Sequence, residues 1–181
     1  MSDQQRPKAE WLRTERLTLE PLRVAHAAEM ADILNDQALY AFTGGSPPTR
    51  AGLRKRYEHL VAGQSPAGRE GWLNWVVRRH DTGDAIGYVQ ATVERSGEDK
   101  SADLAWVIGA AHQNRGFATE SARTVAGWLQ RQGVHKLTAH VHPAHRASLA
   151  VAGAVGLVDT GERDADGEMI LGLPPVPREG R

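Results

Sequence analysis

The sequence predicts a mixed α/β fold in which helices cover the faces of one β-sheet. Short segments that alternate apolar and polar residues are interspersed with segments whose apolar residues recur at helical spacing, in the order βααβββαβαββ. An apolar strand also runs through a glycine-containing turn directly into a helix, over residues 107–120. The chain has 181 residues, enough for one domain with a substantial core.

The first third of the chain predicts one strand followed by two helices. Residues 16–22 (RLTLEPL) alternate in polarity, which is typical of a half-buried strand. Residues 24–34 carry small and apolar side chains at helical spacing. The segment 43–48 (TGGSPP) interrupts regular structure, and Thr49 is a candidate N-cap for a second helix that runs to about Ala62.

The middle of the chain predicts three consecutive strands. Residues 72–78 and 85–94 are two strands of a hairpin whose turn, 81–84 (DTGD), places a glycine where a left-handed conformation is required. A charged turn is expected over residues 95–100, and residues 102–108 form the next strand. This strand leads directly into the glycine turn.

The last third predicts a long helix, a strand, a short helix and two weaker strands. The long helix follows the glycine turn and ends at Gly133. Residues 136–142 form a strand, and residues 145–155 bury small apolar side chains along one face of a helix. The two weak strands cover residues 157–161 and 168–173 and are separated by a polar turn.

Composition excludes several classes of function. The 22 Lys and Arg residues balance the 22 Asp and Glu residues, so neither nucleic acid nor a membrane surface is expected as a partner. The absence of cysteine excludes disulfides, thiolate catalysis and cysteine-containing metal sites. With a polar start and no long apolar run, the protein is expected to be cytoplasmic. We expect the domain to span residues 11–173, between flexible segments at 1–10 and 174–181.

The glycine turn carries the strongest functional signal. It contains the pattern Gln113-x-x-Gly116-x-Ala118 immediately before a helix. The first turn of a helix has unpaired N–H groups and a partial positive charge, which favour anions. Gly116 has no Cβ to keep a ligand away from the backbone, and Ala118 keeps the next position small. These features predict a pyrophosphate site, with a tightly packed βα turn as the alternative.

This turn resembles the coenzyme A loop, Q/R-x-x-G-x-G/A, of the Gcn5-related N-acetyltransferases (GNAT). The segment TERLTLEPL, residues 14–22, is similar to the first strand of the RimJ/RimL-like branch of that family, which usually reads TERLxLRPL. The order of elements also matches, so the resemblance covers about residues 11–173. It implies the acyl-CoA N-acyltransferase fold, in which two central parallel strands splay apart.

The resemblance implies a set of residues that bind acetyl-CoA, and it implies no metal. Val107 and Ile108, at the end of a central strand, would offer backbone groups to the pantetheine arm in the gap between the splayed strands. The loop would face the pyrophosphate, mostly through main-chain N–H groups, with Gln113, Asn114, Arg115, Gly116, Phe117, Ala118 and Thr119. The Arg115 side chain either adds a bond to phosphate or stays solvated.

A second family element, N-x-x-S at the start of the later helix, is matched in part. Ser148 and the later Gly156 agree with it, whereas His145 stands where asparagine is usual. A neutral imidazole offers one donor and one acceptor, so it can replace part of the amide's bonding to the pantetheine or to the leaving thiol. The alternative role of His145 is a helix cap.

The residues that would move protons are less evident. Many GNAT enzymes carry a tyrosine that protonates the leaving thiolate, and Ala152 occupies that position here. His140 matches the position of a glutamate in RimI-type enzymes, and histidine titrates near neutrality, which suits a base. Asp103 and Glu94 are candidates that would act through water. Each of the three is alternatively an ordinary strand or surface residue.

The acceptor is expected to lie against the two early helices and the loop between them. Aromatic and polar residues are candidates for its binding site, although aromatic residues at such spacings are also common in cores. These candidates are Tyr40, Phe42, Glu70, Trp72, Trp75, Trp106 and His142.

The implied activity is transfer of an acetyl group from acetyl-CoA to a primary amine by direct attack in a ternary complex. The acceptor would be a small molecule, such as an antibiotic amine, or a protein or peptide N-terminus. Two alternatives remain: a non-catalytic acyl-CoA-binding or regulatory module, suggested by Ala152 and His145, and a transferase for a longer acyl-CoA. The assembly state is also open, with a homodimer as one option.

Overall fold

The computed structural model describes residues 7–97 and 99–174, which form one eight-stranded sheet with four α-helices. Most of the two terminal segments predicted to be flexible lies outside these ranges. Within them, Ala9 packs against the core, and the Glu10 carbonyl accepts a hydrogen bond of 2.8 Å from Trp75 Nε1. The packed part of the chain therefore begins before residue 11.

The eight strands and four helices follow one another closely along the chain. The strands are Leu12–Arg13 (β1), Leu17–Pro21 (β2), Glu70–Arg79 (β3), Ala85–Ser96 (β4), Asp99–Ile108 (β5), Lys136–Val141 (β6), Val158–Arg163 (β7) and Met169–Gly172 (β8). The α-helices are Ala27–Ile33 (α1), Arg50–Leu60 (α2), Phe117–Arg131 (α3) and Arg146–Val155 (α4). Short 3-10 helices occupy Val24–His26, Gln37–Tyr40 and Ala110–His112.

The predicted mixed α/β class and the predicted order of elements are confirmed, with three local corrections. A two-residue strand, β1, precedes the first predicted strand and is too short to show a periodic pattern. The first predicted helix begins as a 3-10 helix. The charged turn expected over residues 95–100 is shorter, because Arg95 pairs with Lys100 and Ser96 pairs with Asp99 across β4 and β5. The strands are longer than predicted because charged side chains on this solvent-facing hairpin gave the sequence pattern of a loop.

The sheet has the order β1-β2-β3-β4-β5-β6-β8-β7, and only its β5–β6 pair is parallel among the described strands. This pair is short, since only Ser101–Asp103 and Lys136–Thr138 are in register. Beyond Asp103, β5 continues to Ile108 without a partner on that side. The predicted splay of two central strands is confirmed, and it opens a gap in the middle of the sheet.

Helices cover the two faces of the sheet and create two apolar clusters. The larger cluster lies between the sheet and helices α3 and α4, and it contains Trp75 in edge-to-face contact with Trp128 (centroids 5.5 Å apart). The smaller cluster lies under α1 and α2 around Met30, Leu53 and Val76. No helix in the described part of the chain is long and apolar enough to cross a membrane.

Candidate active site

A cavity of about 660 Å³ lies where the splayed strands meet the start of α3. Its walls come from β4, β5, β6, the first turns of α3 and α4, and the loop that carries Phe42. The cavity lies here because β5 and β6 are not hydrogen-bonded to each other beyond Asp103 and Thr138, which leaves space in the middle of the sheet. Most of the residues predicted to bind a coenzyme line this cavity.

The loop before α3 has the backbone that its sequence predicts. Asn114 and Gly116 both adopt left-handed conformations, with φ of 59° and 79°. Gly116 is the N-cap of α3 and has no side chain to cap the helix. Within the described chain, the N–H groups of Phe117, Ala118 and Thr119 donate no hydrogen bond. Three backbone donors at the positive end of a 15-residue helix therefore remain available to an anion.

The role of the missing Cβ at Gly116 differs from the expected one. A Cβ built at this position would lie 3.3 Å from Nη2 of Arg16, a protein atom. Together with the left-handed backbone, this contact explains the glycine without any ligand. The left-handed backbone and the contact with Arg16 are therefore the first reasons why residue 116 is a glycine. Close approach by a ligand is an additional reason.

Other side chains of the loop hold it in place. Gln113 Nε2 donates to the Ile108 carbonyl over 2.9 Å, which ties the loop to the end of β5. Phe117 is buried, and the guanidinium carbons of Arg16, Arg79 and Arg115 lie 4.7, 5.4 and 5.4 Å from its ring centroid. Arg115 is itself exposed. Gln113 and Phe117 thus contribute structure, and the loop offers its backbone to the cavity.

The end of β5 lies on the other side of the cavity. Val107 and Ile108 line it, as does the half-buried Trp106. The antiparallel partner of Ile108 is Gly87 on β4, and a Cβ at Gly87 would lie only 2.1 Å from the Val107 carbonyl oxygen. Strand β4 can therefore approach β5 this closely only because residue 87 has no side chain.

The start of α4 contributes His145 and Ser148 to the cavity. His145 is the N-cap, and its Nδ1 accepts from the Ser148 N–H at 3.4 Å, so the capping role is present. Burial, and then the charge of His142, lower the pKa of His145. A neutral ring that accepts at Nδ1 carries its proton on Nε2, which remains a donor. The ring of Phe42 stacks on His145, with centroids 4.4 Å apart, and also contacts His142 at 5.3 Å.

A polar cluster surrounds His140 where β6 lines the same cavity. His140 Nδ1 lies 2.7 Å from Asp164 Oδ2, and Nε2 lies 3.7 Å from Asp103 Oδ1. Desolvation opposes protonation of His140, but the Asp164 hydrogen bond and the charges of Asp103, Asp164 and Glu168 outweigh it. The pKa of His140 is therefore raised above its ordinary value. His140 and Glu168 line the cavity, whereas Asp103 and Asp164 support the ring from outside it.

Asp103 is held in an unusual electrostatic environment. Desolvation raises its pKa, against the opposing effects of the His140 charge and of a 3.1 Å hydrogen bond from Thr138 Oγ1. Glu94 and Asp164 add to the rise because their negative charges repel a second anion. This side of the cavity is consequently an acidic environment with one histidine in its centre.

Several predicted site residues lie away from the cavity. Trp75 is fully buried on the α3 face, so its prediction as part of the acceptor pocket is corrected to a core role. Glu94 and Glu70 are cross-strand neighbours at the far ends of β4 and β3. Trp72 donates to Glu70 over 3.0 Å and packs against His59. Tyr40 donates to the Leu34 carbonyl over 3.1 Å. None of these five residues lines the cavity.

The structure also brings residues to the cavity that the sequence did not single out. Tyr88 and Gln90 on β4 line it directly, next to Val107 and Ala105 on β5. Their alternation with the buried Val89 would have indicated a shared face. His112 lines it as well, and its buried Nδ1 has no hydrogen-bond partner among the described residues. Burial and the charges of Arg79 and Arg115 lower the pKa of His112.

This fold is the acyl-CoA N-acyltransferase fold, in which two central strands splay apart beside a glycine loop. A family model described as an acetyltransferase (GNAT) domain matches residues 16–158, which is most of the chain. The protein belongs to the GNAT acetyltransferase family. A search of the curated proteins found no match.

Solved structures with the same fold include enzymes with different acceptors. An acetyltransferase from Agrobacterium tumefaciens str. C58 is 27% identical, with a TM-score of 0.67 over 92% of this chain and 95% of that chain. The ribosomal-protein-S5-alanine acetyltransferase from Vibrio fischeri is 17% identical, with a TM-score of 0.73 over 90% and 95%. AAC(6')-Ib in complex with ribostamycin and coenzyme A is 19% identical, with a TM-score of 0.71 over 88% and 93%.

Proposed function

We propose that the protein transfers an acetyl group from acetyl-CoA to a primary amine and that it is a RimJ/RimL-like member of its family. The observation that carries this proposal is a single cavity with two different ends. One end has the free N–H groups of α3, and the other has a histidine among carboxylates. An anionic coenzyme and a cationic acceptor can therefore approach the middle of the cavity from opposite sides.

The coenzyme end suits the two chemical parts of coenzyme A. The N–H groups of residues 117–119 would bind the pyrophosphate, since they have no partner in the described chain. The extended pantetheine arm would follow the unpaired edge of β5 at Val107 and Ile108. His145 Nε2–H and the Ser148 hydroxyl lie on the opposite wall as donors for the pantetheine or the sulfur.

The acceptor end suits removal of a proton from an ammonium group. Asp164 accepts from His140 Nδ1–H when the ring is neutral, and this leaves Nε2 as the proton acceptor. The amine nitrogen then forms a bond to the acetyl carbon as the C–S bond of the thioester breaks. Before this attack, the ammonium loses one proton to Nε2 of His140, directly or through one water held by Asp103. As the amide forms, the nitrogen loses its second proton to solvent and the thiolate takes a proton from solvent. His140 then passes its own proton to solvent, so that one proton is released in each turnover. Ala152 offers no acid for protonation of the thiolate.

The acidic surroundings of His140 favour an acceptor with more than one positive charge. Asp103, Asp164 and Glu168 all raise the affinity of the His140 ring for a proton, and they would attract an ammonium in the same way. Both a small polyamine-like molecule and a basic peptide N-terminus have this character. The similar structures include an aminoglycoside acetyltransferase and a ribosomal-protein-S5-alanine acetyltransferase.

A thiol-release assay with a panel of amines tests the proposal. The protein is incubated with acetyl-CoA and with aminoglycosides, polyamines, basic and neutral peptides, or neutral amines, and free thiol is followed. Cationic amines should release thiol fastest, and His140→Gln should lower kcat about a hundredfold or more. Coenzyme A binding without thiol release from any amine would indicate a non-catalytic module. Faster release from butyryl-CoA than from acetyl-CoA would indicate a longer acyl donor.

A further inference from the structure

Arg16 connects the start of the sheet to the loop before α3. Its Nη1 donates to the Arg115 carbonyl over 3.0 Å. Its Nε and Nη2 lie 2.7 and 2.6 Å from Glu120 Oε2, in the first turn of α3. The Arg16 guanidinium thus bonds both a loop carbonyl and a helix side chain. Both of these groups lie about a hundred residues after Arg16 in the sequence.

The carboxylate that anchors Arg16 is itself fixed. Glu120 Oε1 accepts from Thr14 Oγ1 over 2.5 Å and from the Arg16 N–H over 3.1 Å. Burial opposes ionisation of Glu120, but the hydrogen bonds from Thr14 and Arg16 outweigh it and lower its pKa. Arg16 also lies over the face of Phe117, 4.7 Å from the ring centroid. These contacts restrict the Arg16 side chain to one position.

A bond to the Arg115 carbonyl has a geometric consequence for the next amide. The Arg115 C=O and the Gly116 N–H belong to one planar trans peptide, so they point in opposite directions. Holding the oxygen towards Arg16 keeps the Gly116 N–H on the opposite side. Glycine at residue 116 makes a flip of this peptide sterically easy, because it has access to both signs of φ. A flipped peptide would direct a carbonyl oxygen towards a bound phosphate.

We propose that Arg16 is a positioning residue for the phosphate-binding loop, which it holds in one peptide orientation through Arg115 and Glu120. The inference rests on the proposed function, since it takes the pyrophosphate of coenzyme A as the ligand of the loop. Arg16 itself does not line the cavity. Arg16 acts through the backbone of the loop. It should therefore affect the binding only of those acetyl donors that carry a pyrophosphate.

Two acetyl donors separate this role from a general structural one. Acetyl-CoA carries the pyrophosphate, whereas acetyl-pantetheine has the same thioester and lacks it. Arg16→Gln should raise the Kd for coenzyme A and the KM for acetyl-CoA on the order of tenfold, through lost charge-assisted hydrogen bonds. Its kcat/KM for acetyl-pantetheine should equal that of the wild type. Arg16→Lys, which cannot bond Arg115 and Glu120 together as a fork, should give an intermediate loss.

The matched control is Arg54→Gln, which removes an arginine from an exposed ion pair with Glu58 on α2. This variant should change neither the KM for acetyl-CoA nor the kcat/KM for acetyl-pantetheine. Hydrogen exchange of the Glu120 amide, which donates to the Gly116 carbonyl over 3.0 Å, should accelerate in Arg16→Gln but not in Arg54→Gln when it is followed by NMR without ligand. This readout applies even if turnover is slow.

The outcomes separate the two proposals. Wild-type protein that binds no coenzyme A would overturn the proposed function and this inference with it. Normal coenzyme A affinity in folded Arg16→Gln would overturn the inference alone. Equal losses for acetyl-CoA and acetyl-pantetheine, or a loss of folding in both Arg16 variants, would assign Arg16 to stability instead.

Discussion

At the scale of single residues, His140 is the centre of the proposed chemistry. Two carboxylates face its two ring nitrogens, and a third, on Glu168, lies close enough to affect its charge. A raised pKa reduces the neutral fraction at neutral pH but makes the ring a stronger base. The same negative charges that favour a cationic acceptor therefore also adjust the proposed base.

The Asp164→Asn variant tests this coupling. Asparagine keeps the oxygen that accepts from the Asp166 and Glu168 N–H groups but removes the charge that helps to raise the pKa of His140. In the wild type, kcat/KM should rise with pH through a pKa above 6.5, because the base must lose its proton. In the variant, this rise should occur at lower pH, and its plateau should also be lower, because the amide NH2 that replaces Oδ2 faces Nδ1 and favours the tautomer without a free Nε2 acceptor. A pH–rate series for both proteins measures the displacement.

The neighbouring Asp166→Asn is the control, since Asp166 is exposed and is not among the leading causes of the raised pKa of His140. Its profile should coincide with that of the wild type. A rising limb that stays at the same pH in Asp164→Asn would remove His140 from the role of base.

The sequence indicates only some of the residues in the cluster around His140, and the omission of the others has a physical reason. His140 and Asp103 were singled out from strand position, and both lie in the polar cluster. Asp164 was not, because it comes from a turn 24 residues after His140 and only the β6–β8 pairing brings the two together. Trp75 was assigned to the acceptor pocket, although strand alternation places it on the face opposite Trp72.

At the scale of elements, the cavity depends on how closely β4 lies against β5. Gly87 faces the Val107 carbonyl with no room for a methyl group, whereas Gly153 on the exposed side of α4 has open space where a Cβ would be. The same substitution, glycine to alanine, should therefore have opposite effects at the two positions.

Gly87→Ala should lower the free energy of unfolding by roughly 1–3 kcal/mol, because the strands must separate. Gly153→Ala should raise it by about 0.4–1 kcal/mol, through the smaller entropy of the unfolded chain and better helix propensity. Urea unfolding measures both. Gly87→Ala should also weaken coenzyme A binding, since Val107 moves with β5. Equal stability of the two variants would show that β4 adjusts without cost.

Element order was predictable because each element has a local signal, such as the Thr49 cap of α2 or the alternation along β3. The interaction of Arg16 with Glu120 has no such signal, since it joins residues 104 positions apart. The loop sequence therefore predicted a phosphate site and gave no indication of what holds its backbone. The helices and strands could be predicted from the sequence, but the contacts between them could not, and the site depends on those contacts.

At the scale of the whole molecule, a partly buried ionic network joins α1 to the sheet. Arg78 on β3 bonds Glu20 over 3.2 Å and Glu29 over 2.7 Å, and Glu20 Oε2 lies 3.1 Å from His26 Nε2. His26 Nδ1 accepts from the Arg23 N–H over 3.1 Å, which requires a ring without a proton on Nδ1. Only 3% of His26 is exposed, so protonation would place an additional charge inside this network.

The histidines determine how the stability of the fold responds to mild acid. Burial is the largest cause that lowers the pKa of His26, His112 and His145, whereas the pKa of His140 is raised. A histidine with a lowered folded pKa binds its proton more readily when unfolded, so its contribution is complete above pH 6.5 and is lost as the pH falls below it. His140 has the opposite sign, because its contribution is lost as the pH rises through its folded pKa.

Between pH 6.5 and pH 5 the contribution of His140 is already complete, so the three histidines with a lowered pKa determine the trend. The free energy of unfolding should therefore decrease over this range, before most carboxylates titrate. Urea unfolding at constant ionic strength measures this decrease. His26→Gln, which keeps a polar side chain without a titrating ring, should be less stable at pH 7 but should lose less stability on acidification. An equal slope in both proteins would assign the acid response to the cavity histidines, His112 and His145. A free energy that stays level or rises between pH 6.5 and pH 5 would contradict this prediction, because the contribution of His140 is already complete below its unfolded pKa of about 6.5 and cannot offset the other three.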